Sequence, residues 1–496
     1  MNVDVDLADV QGLVRFGHGH MTLARYDLLE IKDPDAALSW LRVAIPEVVS
    51  AQKVSPRPST ALQLAFSAPG LHELGVADSV TADFSHEFRT GMAAEPRARQ
   101  IGDIGINSPQ HWLWGRSGRE PHALAMFFGD ERDFEPFVGR LCGELFQRAF
   151  EAHSLGIARP DPVEPFGFAD GISQPRIDWE QRRSTPTTQA EYTNIAALGE
   201  FLLGYPNEYG KLTDRPLLES DATTTGLLSA PEAPDKKDLA RNGTYLVLRQ
   251  LEQDVSGFWK FIHAQRPSAA DAEDLAAAMV GRTRRGVPLV QGAHRAAATN
   301  ASIDGAGPAN NQFTFDNDPT GSQCPFGAHI RRANPRNTDY PEPGGPLKRL
   351  RIALGYGSRD FRYDLMSSVR FHRIMRRGRT YGPALGNEPA DGTITAPSGL
   401  HFICLNANIA RQFEFVQGAW IASSKFSGMT GEADPLLGTR EPLAGGAPTN
   451  SFNLPADGDL RRRVNDLPQF VTLRGGAYFF LPSLRALSYF AHLRDR

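Results

Sequence analysis

The sequence predicts an α+β fold with an antiparallel sheet, built from two related halves. Three observations carry this reading. Apolar strand-like runs are followed by a polar break and then a segment of helical period. Tyr26 precedes Trp40 by the same 14 residues that separate Tyr245 from Trp259. The stretch "HALAMFFGDERDFEPFVGRL" is echoed by "HFICLNANIARQFEFVQGAWIA", with Phe-Val at a similar offset after each strand.

In chain order, "ARYDLLEIK" reads as a strand. "DPDAALSWLRVAI" follows as a helix, with Asp33 at the N-cap, Pro34 at the first helical position and Leu38, Leu41 and Ile45 on one face. In "TALQLAFS", Leu62, Leu64 and Phe66 alternate as in a half-buried strand. "PGLHELGV" is a short helix and "HALAMFFGDE" a strand. "DFEPFVGRLCGELFQRAF" reads as one helix, with Phe134, Phe137, Val138, Leu141, Leu145 and Phe146 at helical spacing. The second half repeats the outline with "GTYLVLRQLEQDVSGFWKFI" and ends on the strand "GAYFFLPS". Stretches 215–238, 391–399 and 435–459 are read as a linker or surface loops.

The 496 residues are 41% hydrophobic, enough for a large core in two domains or one two-lobed unit. A formal net charge of -4 offers no basic excess for nucleic acid. Cys142, Cys324 and Cys404 form no CxxC and suggest a reducing compartment. Without a secretory leader, a twin-arginine motif or an apolar run of ~18 residues, a cytoplasmic protein with no membrane partner is expected.

Three stretches carry potential chemistry. "EPFGFADGISQP" contains Gly167-x-x-Asp170-Gly171. By itself this is a turn signal. Functionally it is a carboxylate on a rigid loop, ionised and able to act as a base at mildly acidic pH, with glycines that let the backbone approach something planar. "FHRIMRRGRTYG" places Arg373, Arg376, Arg377 and Arg379 within seven residues, as a solvated basic strand or as an anion clamp. "CPFGAHIRRANPR" holds His329 with no second ligand at zinc spacing and no nucleophile to serve. The one common metal centre that asks the protein for a single His is haem. The three stretches together would supply His329 as axial ligand, Arg331 for a propionate, and Asp170 with an arginine on the open iron face.

These motifs resemble the dye-decolorising peroxidase family. The likeness rests on "PFGFADGISQP", "CPFGAHIRRANPR", "HRIMRRGRTYG" and "GLHFICLNANIARQFEFVQGAWI", in that order, with further N-terminal pieces such as "VQGLVRFGHGH". It implies two ferredoxin-like halves, residues 1–225 and 226–496, forming a β-barrel-like core with peripheral helices (the dimeric α+β barrel type). It implies one haem b in the C-terminal half, with iron on His329 and with Arg331, Gly171, Ile172, Ser173 and Asn408 around it. It implies that Asp170 and Arg376 (Arg377 being the competing choice) reduce hydrogen peroxide through a high-valent iron-oxo intermediate. Dyes, phenols or other aromatic donors would return the electrons singly. Trp420, Tyr381, Trp112 and Trp114 are relay candidates by type alone, and none is assigned. The family places an Asp near the proximal His; its best match here is Asn408, a neutral amide that would polarise His329 less. A haem-handling or iron-release protein on the same fold is the alternative, and a homo-oligomer is compatible with either.

Overall fold

The computed structural model describes residues 4–181, 194–266, 268–291, 310–336, 369–383, 397–441, 448–454 and 462–494. Its frame is one nine-stranded sheet with helices packed on it. The strands are β1 (Leu23–Ile31), β2 (Thr60–Phe66), β3 (Ala123–Gly129), β4 (Phe150–Arg159), β5 (Thr244–Gln253), β6 (Met375–Arg376), β7 (Arg379–Tyr381), β8 (Gly399–Asn406) and β9 (Val471–Leu481). All pairings among them are antiparallel. They run β8–β7–β4–β1–β3–β2–β9–β5 and return to β8, with β6 as an extra partner of β8.

Both faces of the sheet are buried at β2, which explains why the alternation expected there is absent: Ala61 through Phe66 are all buried. In β3, Ala123, Ala125 and Phe127 face one core and Leu124, Met126 and Phe128 face the other. A strand covered on both sides reads as a continuous apolar run.

Helix α1 (Pro34–Ala44) begins as expected, with the Asp33 side chain accepting the Ala36 N–H. Helix α2 spans Ala68–Leu74. The single helix expected after β3 is two, α3 (Phe134–Leu141) and α4 (Glu144–Ala149), broken at Cys142-Gly143. The chain then enters β4, whose mostly exposed side chains gave no apolar pattern. Helices α5 (Val255–Gln265) and α6 (Ala269–Val280) follow β5. The equally spaced tryptophans stand on α1 and α5: Trp40 Nε1 donates to Leu141 O at 2.8 Å and Trp259 Nε1 to Phe166 O at 3.2 Å. The 215–238 stretch is no free linker, because Leu217–Glu219 pairs with Lys236–Asp238 and the buried Arg215 is bonded to the buried Asp238 at 2.6 Å. Residues 337–368 lie outside the described residues, as do 391–396, 442–447 and 455–459. No helix among the described residues is long and apolar enough to cross a membrane.

Candidate active site

A cavity of about 240 Å³ opens between β5, β8 and β9 on one side and α6 with two later helical segments on the other. Those segments are α7 (His329–Ala333) and a run of π-helical turns over Ala410–Ile421. The walls are mainly apolar, including Leu251, Phe402, Phe413 and Val416. Into this cavity the fold brings His329, Asp170 and Arg376.

His329 opens α7 directly after an extended Ala328. The preceding Gly327 has no room for a side chain, since a Cβ there would meet Glu432 Oε1 at 1.8 Å. Arg332 fastens the helix by donating to the carbonyls of Trp420, Ser423 and Glu432. His329 Nδ1 is 2.9 Å from Oδ2 of Asp434, which is fully buried, and Asp434 Oδ1 accepts the Leu436 and Leu437 N–H groups. With Nδ1–H given to the carboxylate, Nε2 is the nitrogen left to bind. Burial disfavours the imidazolium, but the Asp434 carboxylate outweighs it and raises the His329 pKa above its ordinary value. Burial likewise works against the charged Asp434, and His329 with the Leu437 N–H reverses it, so that the pKa is lowered.

Asp170 sits on the loop between β4 and β5. Glu164 shapes its start by accepting the Phe166 and Phe168 N–H groups, and Gly167, at φ 96°, makes the turn. Burial pushes the Glu164 carboxyl up to about 7. Arg376 Nη1 donates to Asp170 Oδ1 at 2.7 Å. Burial raises the Asp170 pKa, but the Arg376 charge and hydrogen bond more than cancel this and leave it below the ordinary aspartate value. Arg377, the competing choice, faces away and donates to Leu13 O and Val14 O, because successive strand residues point to opposite sides.

Other expected site residues lie elsewhere. Arg331 does not line the cavity: it is buried between the rings of Phe315 and Phe326, donating to Asp318 and to Cys324 O. Asn408 is not the partner of His329. Its Oδ1 accepts the Arg411 N–H at the start of the π-helical run, and Asp434 takes the place expected for it. Ile172 and Ser173 line the cavity; Gly171, at φ 75°, turns the chain beside it without lining it. Trp420 lines the cavity, and Trp420, Tyr381, Trp112 and Trp114 are all buried.

Further basic groups gather on another part of the wall: Arg282 and Arg336, which sequence reasoning missed, and Arg373, which it named only as one of the arginine cluster. Arg282 Nη2 and Arg336 Nη2 both donate to Ser173 Oγ, at 2.9 and 3.2 Å. Two donors fill the hydroxyl's lone pairs and leave its O–H to donate elsewhere. Arg373 is 8% exposed, and its Nε and Nη2 have no hydrogen-bond partner among the described residues. Burial brings its pKa down to about 10. Arg336 ends the His329 motif and Arg373 opens the arginine cluster, so local charge density was the available signal. Asp434 left none, for it lies 105 residues from His329 in a stretch read as loop.

No family model matches the chain. It is 29% identical to "Peroxidase 2" of Mycetinis scorodonius, covering 98% of this chain and 88% of that protein. It is 28% identical to the dye-decolorizing peroxidase AauDyP1 of Auricularia auricula-judae, covering 97% and 86%. The structure of AauDyP complexed with imidazole superposes with a TM-score of 0.75 at 27% identity, covering 98% of this chain and all of that one. Near-complete overlap with these relatives agrees with the histidine, carboxylate and arginine that converge on one cavity: over nearly its whole length the chain is similar to dye-decolorising peroxidases.

Proposed function

We propose that the protein is a haem peroxidase that reduces hydrogen peroxide and oxidises dyes and other aromatic donors one electron at a time. The observation that carries this is the meeting of two pairs, His329–Asp434 and Asp170–Arg376, on one largely apolar cavity. The residues fit haem. His329 would offer Nε2 as the one protein ligand to the haem iron, and the apolar walls suit a porphyrin. Among the described residues no group of three His, Cys, Asp or Glu could hold a bare metal ion. Haem b, held by its own shape and two propionates, agrees with the wall chemistry: Ser173 O–H and Arg373 Nε and Nη2, without a partner among the described residues and backed by Arg282 and Arg336, would receive the propionates in place of Arg331. The closed circuit of strand pairings and the repeated strand–helix units support a barrel-like core of two ferredoxin-like halves, meeting near 225/226.

Bound haem supplies the redox chemistry, giving two electrons to peroxide and recovering them from the donor. The chain supplies the proton transfer and the charge. Asp170, held ionised by Arg376, accepts a proton from one peroxide oxygen and returns it to the other, which leaves as water. Arg376 stabilises the negative charge that grows as the O–O bond breaks. Asp434 fixes the His329 ring and strengthens its basicity at Nε2.

The test is an absorption spectrum of haem-loaded protein before and after one equivalent of hydrogen peroxide, followed by a reducing dye. A Soret band that shifts with peroxide and recovers as the dye bleaches is expected. Bound haem that ignores peroxide would favour the haem-handling alternative, and no Soret band would overturn the assignment of His329.

A further inference from the structure

Asp170 and Arg376 are 206 residues apart, and the bond between their side chains is not what fixes their distance. Both are partly open to the cavity, with 36% and 29% of their side chains exposed. An ion pair of that exposure holds the two groups only weakly. It must also open whenever a small ligand takes Asp170 or Arg376 as its partner.

A different contact ties their backbones. Strand β6 lies at the end of the sheet and pairs with β8 through Met375↔Leu405 and Arg376↔Cys404. The backbone of Arg376 is met from the other direction by one side chain. Its N–H donates to Gln174 Oε1 at 3.0 Å, and its C=O accepts from Gln174 Nε2 at 3.1 Å. A carboxamide presents one acceptor and one donor, as a peptide group on a neighbouring strand would. Gln174 is itself held, since its C=O accepts from Asn311 Nδ2 at 3.1 Å. On the Asp170 side, the Asp170 N–H donates to Pro162 O at 3.0 Å and the Ala169 N–H to Arg284 O at 2.8 Å.

We propose that Gln174 is a positioning residue that sets the spacing of Asp170 and Arg376 by pairing its carboxamide with the Arg376 backbone. The two side chains then stay poised when a ligand enters between them. The inference rests on the roles assigned above to Asp170 and Arg376. Gln174 lines the same cavity, and no step of the reaction described above is assigned to it.

The experiment uses the full-length haem-loaded protein and four variants: Gln174→Leu, Gln174→Glu, Asp170→Asn and the Gln174→Leu/Asp170→Asn double. Three quantities are read: amide exchange of the Arg376 segment, the dissociation constant of cyanide, and the second-order rate constant with peroxide. Gln174→Leu is expected to speed exchange at Arg376, to weaken cyanide and to slow the peroxide step by about tenfold, the worth of one or two backbone hydrogen bonds. The Soret band and the KM for the dye stay as in the parent. Gln174→Glu, which keeps only the acceptor, falls between; it carries the test should Gln174→Leu fail to fold. In the Asp170→Asn background Gln174→Leu costs clearly less than it does alone, because the spacing it sets no longer serves a proton acceptor. A parental peroxide rate and cyanide affinity in Gln174→Leu, or a full additive loss in the double variant, overturns the inference and leaves the peroxidase reading standing. A parental rate in Asp170→Asn alone overturns the reading on which it rests.

Discussion

Nδ1 of His329 lies 2.9 Å from Oδ2 of Asp434, so the imidazole that faces the cavity is backed by a fully buried carboxylate. The pair is joined at short range in space across 105 residues of chain. Replacing Asp434 by Asn keeps the shape but removes the charge. The expected result is a higher reduction potential of the bound iron and about 10–100-fold weaker haem retention, read by spectroelectrochemistry and by haem transfer to an apo-globin. Asn408→Asp is expected to leave the potential unchanged, since Asn408 caps a helical segment instead.

Asp170→Asn is expected to slow the reaction with peroxide by about 10²–10⁴-fold while the Soret band stays in place. The sign of the pH effect follows from the Arg376 contact. The pKa of Asp170 is held below its ordinary value, so the proton-accepting form persists at mildly acidic pH and is lost only below that value. Arg376→Leu should therefore move the acid limb of kcat/KM for peroxide upward, besides costing about 10²–10³-fold in rate. Stopped-flow rates across the acid range decide this.

Arg331 and Arg373 should separate stability from cofactor retention. Arg331→Ala removes one half of a buried ion pair with Asp318 and is expected to cost about 3–5 kcal/mol in denaturant unfolding. Arg373→Ala removes a buried cation whose Nε and Nη2 have no partner among the described residues, so it should unfold near the parental midpoint but release haem faster.

His401 is fully buried, stacked on Tyr381 at 4.5 Å, and neither ring nitrogen has a hydrogen-bond partner among the described residues. Burial lowers its pKa from 6.5 to about 3, and burial with the nearby Arg379 does the same to His18. The unfolded chain binds these protons first, so stability is lost as pH falls from 6.5 towards 3. His401→Phe should reduce that loss by several degrees in Tm on the acid side and leave neutral Tm close to the parent.

The strands of the sheet were legible because their apolar runs are long, and the N-cap Asp33 with Pro34 marked α1 directly. β4 was not, because its outward positions carry Glu151, His153 and other polar groups. Within the site, His329, Asp170 and Arg376 each sit in a dense local motif. Asp434 and Gln174 act through partners more than a hundred residues away, and neither spacing nor composition encodes such a meeting. The arginine after His329 was misassigned for the same reason: charge density marked the stretch, but only packing decided that Arg331 enters the core and Arg336 the cavity wall.

The circuit of strands joins β2 to β9 through Phe66 and Phe480. These positions are 414 residues apart by subtraction of their numbers, so during synthesis the first half is made with that edge of β2 uncovered. At about 5–20 residues per second the wait is roughly 20–80 s. For that time the nascent chain carries an open apolar edge. The walls supplied by β8 and β9 arrive late as well, so the cavity is complete only once β9 has been made.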